Sequence, residues 1–225
     1  MAYSRNFDAE ATGAAGNLGD GAKSASTLWT IDADVKYAGA KSLKISNDSA
    51  NVGQNWQYDT VQNLASGDFT LTFVAQVHTL GSGSTNRIGW VFRVNQDHNA
   101  CYAILLRPTA GDSTFRLSKF SGGSETAIST VTLASAIVAD TWYKVKITTL
   151  GTSIKAKMWL ATDSEPETWN IDTTDATLNN TNIGTGPYFY DGDVVLGYGY
   201  IDEVVEATSA DPTGTHIFGD EGIIC

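Results

Sequence analysis

The chain has 225 residues, 42% of them hydrophobic, with 22 glycines, four prolines and two cysteines. That is enough apolar chain for one sizeable core, too little cysteine for a disulfide framework, and it contains no apolar run long enough to cross a membrane as a helix. Net charge is −11, spread as −3 over residues 1–86, +5 over 87–157 and −13 over 158–225, where lysine and arginine are absent. Such a balance disfavours nucleic acid as a partner, because counterion release needs basic side chains along most of the contact.

From Met1 to Phe7 the chain enters structured-looking sequence without a basic and apolar leader, so export through a signal peptide is not expected. The glycines at 13, 16, 19 and 21 follow no strand and precede no helix, which predicts a flexible loop rather than a phosphate cradle. A short strand is expected over Ser42–Ser46. Asp68 to His78 alternates with Phe69, Leu71, Phe73, Ala75 and Val77 on one face. Ile88, Trp90, Phe92 and Val94 form the next inward face, with Arg87 and Arg93 on the other. The apolar run Cys101–Leu106 predicts a central strand buried on both faces. Further strands are expected over Thr114–Phe120 and Ala127–Leu133, around the turn Ser121-Gly122-Gly123-Ser124.

Thr141–Leu160 gives the clearest local pattern. Tyr143, Val145 and Ile147 share a face before the break at Leu150–Ser153, and Ile154, Ala156, Met158 and Leu160 share one after it, which predicts a hairpin with one buried face. The opposite face carries Lys144, Lys146, Lys155, Lys157 and Trp159, and is either solvated surface or a binding surface. Asp163–Thr181 reads as a long polar insertion holding Trp169, and the last strand is expected near Gly199–Val205. About a dozen short strands separated by turns indicate an all-β, two-sheet antiparallel sandwich over residues 1–207. The remainder, 208–225, has no periodicity and is either disordered or docked on a partner through Ile217, Phe218, Ile223 and Ile224.

The order of motifs resembles the concanavalin A-like lectin/glucanase superfamily, and within it laminin G-like jelly-roll modules. Carrying the resemblance are Phe7-Asp8, Trp29, Gly89-Trp90-Val91-Phe92-Arg93, Asn99-Ala100-Cys101-Tyr102-Ala103, Asp140-Thr141-Trp142-Tyr143-Lys144-Val145, Ile154–Trp159 and Ile201-Asp202-Glu203-Val204. Members include carbohydrate-binding modules, adhesins, glycosidases and phage virion proteins, so the resemblance bears on fold more than activity. It implies core positions for Trp29 and Trp142, and a structural calcium in many members, with Asp8 and Asp202 as candidate ligands and solvated carboxylates as the competing reading.

Glucanases of this superfamily align three carboxylates at i, i+2 and i+4 on one strand. Here Glu165-Pro166-Glu167 contains a proline, and Asp202-Glu203-Val204-Val205-Glu206 has valine where the middle acid should stand, so no catalytic activity is expected. His78, His98 and His216 are scattered and fit no zinc spacing. The expected function is a non-catalytic binding or structural module on the exterior of a phage particle, with a bacterial carbohydrate-binding module or adhesin, secreted or cell-surface, as the alternative. Its expected partners are virion neighbours or a cell-surface glycan, with homo-oligomerisation open. The candidate ligand contacts are Trp56, Tyr58, Arg93, Lys144, Lys157 and Trp159, because sugars stack on aromatic rings and hydrogen-bond to a few polar groups.

Overall fold

A computed structural model describes residues 4–10, 12–14, 27–47, 55–56, 64, 66–78, 86–97, 99–108, 113–190 and 197–207, none of them helical. Tyr58 and the four apolar tail residues Ile217, Phe218, Ile223 and Ile224 lie outside this set, as do His98 and His216.

Fifteen strands are described: β1 (Ser4–Arg5), β2 (Gly13–Ala14), β3 (Thr27–Asp32), β4 (Ser42–Asn47), β5 (Asn55–Trp56), β6 (Thr70–Val77), β7 (Arg87–Val94), β8 (Ala100–Arg107), β9 (Thr114–Ser121), β10 (Ser124–Thr132), β11 (Trp142–Leu150), β12 (Ser153–Leu160), β13 (Ile171–Thr174), β14 (Gly184–Tyr190) and β15 (Tyr198–Ala207). Nine of them make one sheet in the order β13-β12-β11-β6-β15-β4-β3-β2, with β1 also paired to β15. The other six make a second sheet in the order β10-β9-β8-β7-β14-β5. Every pairing is antiparallel.

The predicted alternation sets how the sheets meet. Leu71, Phe73 and Ala75 of β6, Val145 and Ile147 of β11, and Ile154 and Ala156 of β12 are fully buried from one side; Ile88, Trp90, Phe92, Ile104, Leu106 and Phe115 meet them from the other. The Phe73 and Trp90 rings join the two sheets at 5.6 Å between centroids. Trp90 keeps its indole N–H satisfied inside the core by donating to Thr185 Oγ1 at 2.5 Å. Burying a tryptophan without that acceptor would forfeit a good part of its apolar gain.

The β11–β12 hairpin closes through Gly151 at φ +56°, the left-handed geometry that glycine adopts without Cβ strain. Leu160, expected on the buried face, is 39% exposed because it ends its strand. The presumed insertion after it contains β13, which pairs with β12 and sends Ile171 into the core.

Two further expectations give way. Trp142, placed in the core by the family resemblance, is half-buried on the outward face of the nine-stranded sheet, because in β11 it shares parity with Lys144 and Lys146 while Tyr143, Val145 and Ile147 face inward. Arg93, expected on the outward face of β7, is fully buried. Its φ of +49° coincides with a register shift between β7 and β14, which breaks the alternation at that residue.

Candidate ligand-binding face

Each sheet has an outward face on which a ligand would have to sit. On the nine-stranded sheet the predicted lysine stripe exists, but it is neutralised. Residues 161–170 fold back across it: Lys157 Nζ donates to the Pro166 carbonyl at 2.6 Å, pairs with Glu165 at 2.7 Å and stands 4.6 Å from the Trp169 ring centroid. Glu165 also pairs with Lys146 at 2.8 Å, and Asp172 with Lys155 at 2.9 Å. Burial works to raise the Glu165 pKa, but hydrogen bonds and charge from Lys146 and Lys157 outweigh it and hold the carboxyl below its usual range. Lys157, expected to meet a ligand, is therefore an internal strut with its side chain 6% exposed. Trp159 is half-buried and stands opposite Lys144 in the register.

A chain of rings continues across the same face. Trp142 lies edge-on to Tyr37 at 5.8 Å and tilted against Tyr200 at 6.4 Å, and Tyr200 meets Tyr198 at 5.9 Å. These rings already have partners. His78 stacks on Tyr198 at 4.3 Å, Lys44 Nζ sits 4.1 Å from the centroid of the same ring, and Lys144 Nζ sits 5.6 Å from Tyr37. A sugar stacking on Tyr198 would have to displace the imidazole or the amine.

Arg93 ties loops together beneath the sandwich edge. Its guanidinium donates to the carbonyls of Gly67, Leu178 and Gly151 at 2.9, 3.2 and 2.8 Å, and to Asp68 at 3.1 Å. With every one of those donors turned inward, it faces no ligand.

Asp8 and Asp202 are likewise occupied. Asp202 accepts backbone N–H groups from Tyr37, Ala38 and Glu203 at 3.0, 3.2 and 2.8 Å, and Asp8 accepts those of Ala40 and Lys41 at 2.7 and 2.9 Å. These carboxylates organise the 33–41 turn through those backbone N–H groups. Among the described residues no group of three or more His, Cys, Asp or Glu could hold a metal.

The outward face of the six-stranded sheet is different. Parity directs Arg87 and Gly89 of β7, Cys101, Ala103, Leu105 and Arg107 of β8, Arg116 and Ser118 of β9, Glu125 of β10 and Tyr188 and Tyr190 of β14 to this side. Register then gathers them: Tyr188 is opposite Gly89, Gly89 opposite Leu105, and Leu105 opposite Arg116. Trp56 of β5 is opposite Tyr188 at the end of this row. Tyr190 is opposite Arg87, whose guanidinium lies 4.7 Å from the tyrosine ring centroid.

The floor is apolar and closely built. Val91, Ala103, Leu105, Cys101, Phe120 and Tyr188 are buried in a cluster separate from the main core, with Phe120 and Tyr188 stacked at 5.4 Å. A Cβ on Gly89 would lie 1.9 Å from the Ile104 carbonyl oxygen, so a side chain here would force β7 and β8 apart. Burial drives the Cys101 thiol up to about 12, which keeps it protonated.

Charge rings this floor. Glu125 pairs with Arg87, reaches Arg116 at 3.5 Å and accepts the Ser118 hydroxyl at 2.6 Å. Arg107 is lowered to about 10, first by burial and then by the like charges of Arg116 and Arg87; burial and Arg87 lower Arg116 as well. The sequence placed Arg87 outward, but Arg107, Arg116 and Glu125 were not picked out. Alternation within each strand would have put them on this face; only the sheet order makes them neighbours.

The two antiparallel sheets, with β1 paired to β15, make a jelly-roll β-sandwich of concanavalin A-like fold. No family model matches the chain, and no curated protein matches it in sequence. In fold it is similar to the carbohydrate-binding module CBM66 of Bacillus subtilis, at 17% identity and a TM-score of 0.53, over 84% of this chain and 93% of that one. It is also similar to the Bacillus licheniformis β-glucanase, at 13% identity and a TM-score of 0.56, over 92% and 98%. A third similar structure is the exoplasmic/lumenal domain of VIP36 in its Ca2+/Man3GlcNAc-bound form, at 13% identity and a TM-score of 0.55, over 80% and 82%.

Proposed function

We propose that the protein is a non-catalytic glycan-binding module that seats sugar on the outward face of its six-stranded sheet. One observation carries the reading: five strands deliver Arg87, Arg107, Arg116, Glu125, Ser118 and Tyr190 around one apolar floor. A sugar's rim of hydroxyls is answered by the partly exposed Tyr190 and Arg116 at the border of this face, while the floor residues themselves are buried. The names of the similar structures, a carbohydrate-binding module and a lectin domain bound to an oligosaccharide, support it.

Against hydrolysis stands the central strand itself. Its outward positions are Cys101, Ala103 and Leu105, and the carboxylate described on the face, Glu125, is tied to Arg87. Glycoside hydrolysis needs two acids across the scissile bond. On placement, the reading is the exterior of a phage particle, supported by the cysteine chemistry: the buried Cys101 is an unpaired thiol, as suits assembly in a reducing compartment. The bacterial binding-module alternative draws on the near-complete overlap with CBM66.

A glycan array probed with the full chain tests the binding reading. Retention of at least one glycan class, weakened about tenfold by Tyr190→Ala, is expected. An array with no retained glycan would overturn it.

A further inference from the structure

We infer that the outward face of the nine-stranded sheet carries a second sugar site, in which a neutral glycan lies against Trp142 and Tyr37 and donates a hydroxyl hydrogen to the Gln76 side-chain amide. The site is on the opposite side of the sandwich from the face proposed above and does not depend on it.

Register builds the site. Lys44, Tyr200, Gln76 and Trp142 stand in one row across β4, β15, β6 and β11, all on the outward side. Neighbouring strands are about 4.8 Å apart, so the row runs about 14 Å with Gln76 between two rings. The 33–41 turn adds a third ring: Asp202 accepts the N–H groups of Tyr37 and Ala38, and the Tyr37 ring lies 5.8 Å from Trp142. Trp142 meets Tyr37 at 63° and Tyr200 at 54°, so the rings stand at angles to one another rather than as a flat platform. Trp142 and Tyr37 are both partly exposed, unlike the floor of the six-stranded face. Tyr198 is not the stacking surface, since His78 and Lys44 already lie against its ring.

Gln76 is the residue that points to a ligand. It is 5% exposed, and its Oε1 is buried with no hydrogen-bond partner among the described residues. A buried acceptor left unpaired costs stability, and native side chains mostly avoid it. The fold does not require the amide: Val74, the preceding outward position of β6, is as deeply buried without any polar side-chain atom. Position 76 thus holds an acceptor whose donor comes from outside the chain.

Chemistry selects a neutral polyol. The amide oxygen needs a donor, while the Lys44 and Lys144 amines, which meet no carboxylate among the described residues, need acceptors. A sugar hydroxyl is both; an anion would answer only the amines, and a cation only the amide. Charge on the face is mixed as well. Burial first, then Asp32, Tyr198, Asp140 and Asp34, push Tyr200 up to about 12, so acids stand among the lysines. The half-buried indole offers apolar surface to the C–H face of a sugar ring. To reach the amide, the hydroxyl parts Trp142 from Tyr200, whose centroids are 6.4 Å apart.

Calorimetry of the full chain against cellohexaose, maltohexaose, xylohexaose and mannohexaose, paired with urea unfolding, tests the inference. At least one hexaose is expected to bind, with Trp142→Ala and Gln76→Leu each weakening it about tenfold. Gln76→Leu should also raise the urea midpoint, because it removes an unpaired buried acceptor; a glutamine with only a structural role would lower it. A lowered midpoint would show that the amide is partnered in the free protein and would overturn the inference. Full-strength binding in both variants would put the sugar on the six-stranded sheet alone, so that this inference falls and the reading above stands. Binding of no hexaose would also overturn it, while the glycan array decides the other face independently. If Trp142→Ala does not fold, Gln76→Leu, an apolar side chain at a buried position, decides by itself.

Discussion

Two buried charged residues show how far local pattern fails at the residue scale. Arg93 sits at an outward position by simple alternation, yet a left-handed backbone turns its side chain under the sandwich edge to serve three carbonyls and Asp68. No count of apolar neighbours reveals a positive φ. Asp202 was singled out only as a candidate calcium ligand implied by the family resemblance, not as a hub for three backbone N–H groups. Its burial pushes the carboxyl up to about 6, overriding those N–H groups, with Glu203 adding to the rise. A carboxyl raised in the folded state binds its proton more readily folded than unfolded. Its contribution therefore favours the fold fully below about pH 4 and is lost as pH climbs through 6, the reverse of an ordinary ion-paired aspartate. Urea unfolding of the wild type and Asp202→Asn between pH 4 and 7 checks this: the wild type should carry an added downward slope of up to about 1.4 kcal/mol per pH unit in that window, absent from the variant. Parallel pH profiles would refute it.

At the element scale, alternation in β11 and β12 was readable because each buries mainly one face against the other sheet, whereas β7 and β8 are buried on both faces and β6 along its last five residues. The lysine stripe of the hairpin was readable too, yet its meaning was not. Whether Lys146 and Lys157 are open depends on where Glu165 lands after a turn, which no period encodes. The arginine face was hidden for the same reason: Arg87, Arg107 and Arg116 are each unremarkable at the end or middle of a strand, and become a cluster only once β7, β8 and β9 lie side by side. Gly89 shows the cost of that closeness. With a backbone carbonyl where its Cβ would go, Gly89→Ala has to part β7 from β8, and is expected to lose about 1–3 kcal/mol in urea unfolding. Amide exchange should quicken at Leu105 and Tyr188, the two residues it lies between. Unchanged stability would mean that the two strands have slack at this point.

For the whole molecule, the fold sets a local cation patch against a global anion. The chain carries −11 overall, and its basic residues are concentrated in 87–157, the stretch that supplies β7 to β12. The lysines of that stretch on the nine-stranded sheet are largely paired with Glu165 and Asp172, and on the opposite sheet Arg87 and Arg116 share Glu125, two guanidiniums to one carboxylate. An acidic polymer approaching from a distance meets the net negative field; a neutral glycan does not feel it. Repulsion acts across tens of ångströms and is screened beyond about 10 Å at 0.1 M. Association of a neutral glycan should therefore change little as sodium chloride rises from about 0.01 to 0.1 M, whereas any association of a polyuronide should quicken. Most basic polyanion binders do the opposite, since their whole surface attracts. Surface plasmon resonance across that range measures both, and a polyuronide association rate that falls steadily with salt would show that the net field does not reach the incoming chain.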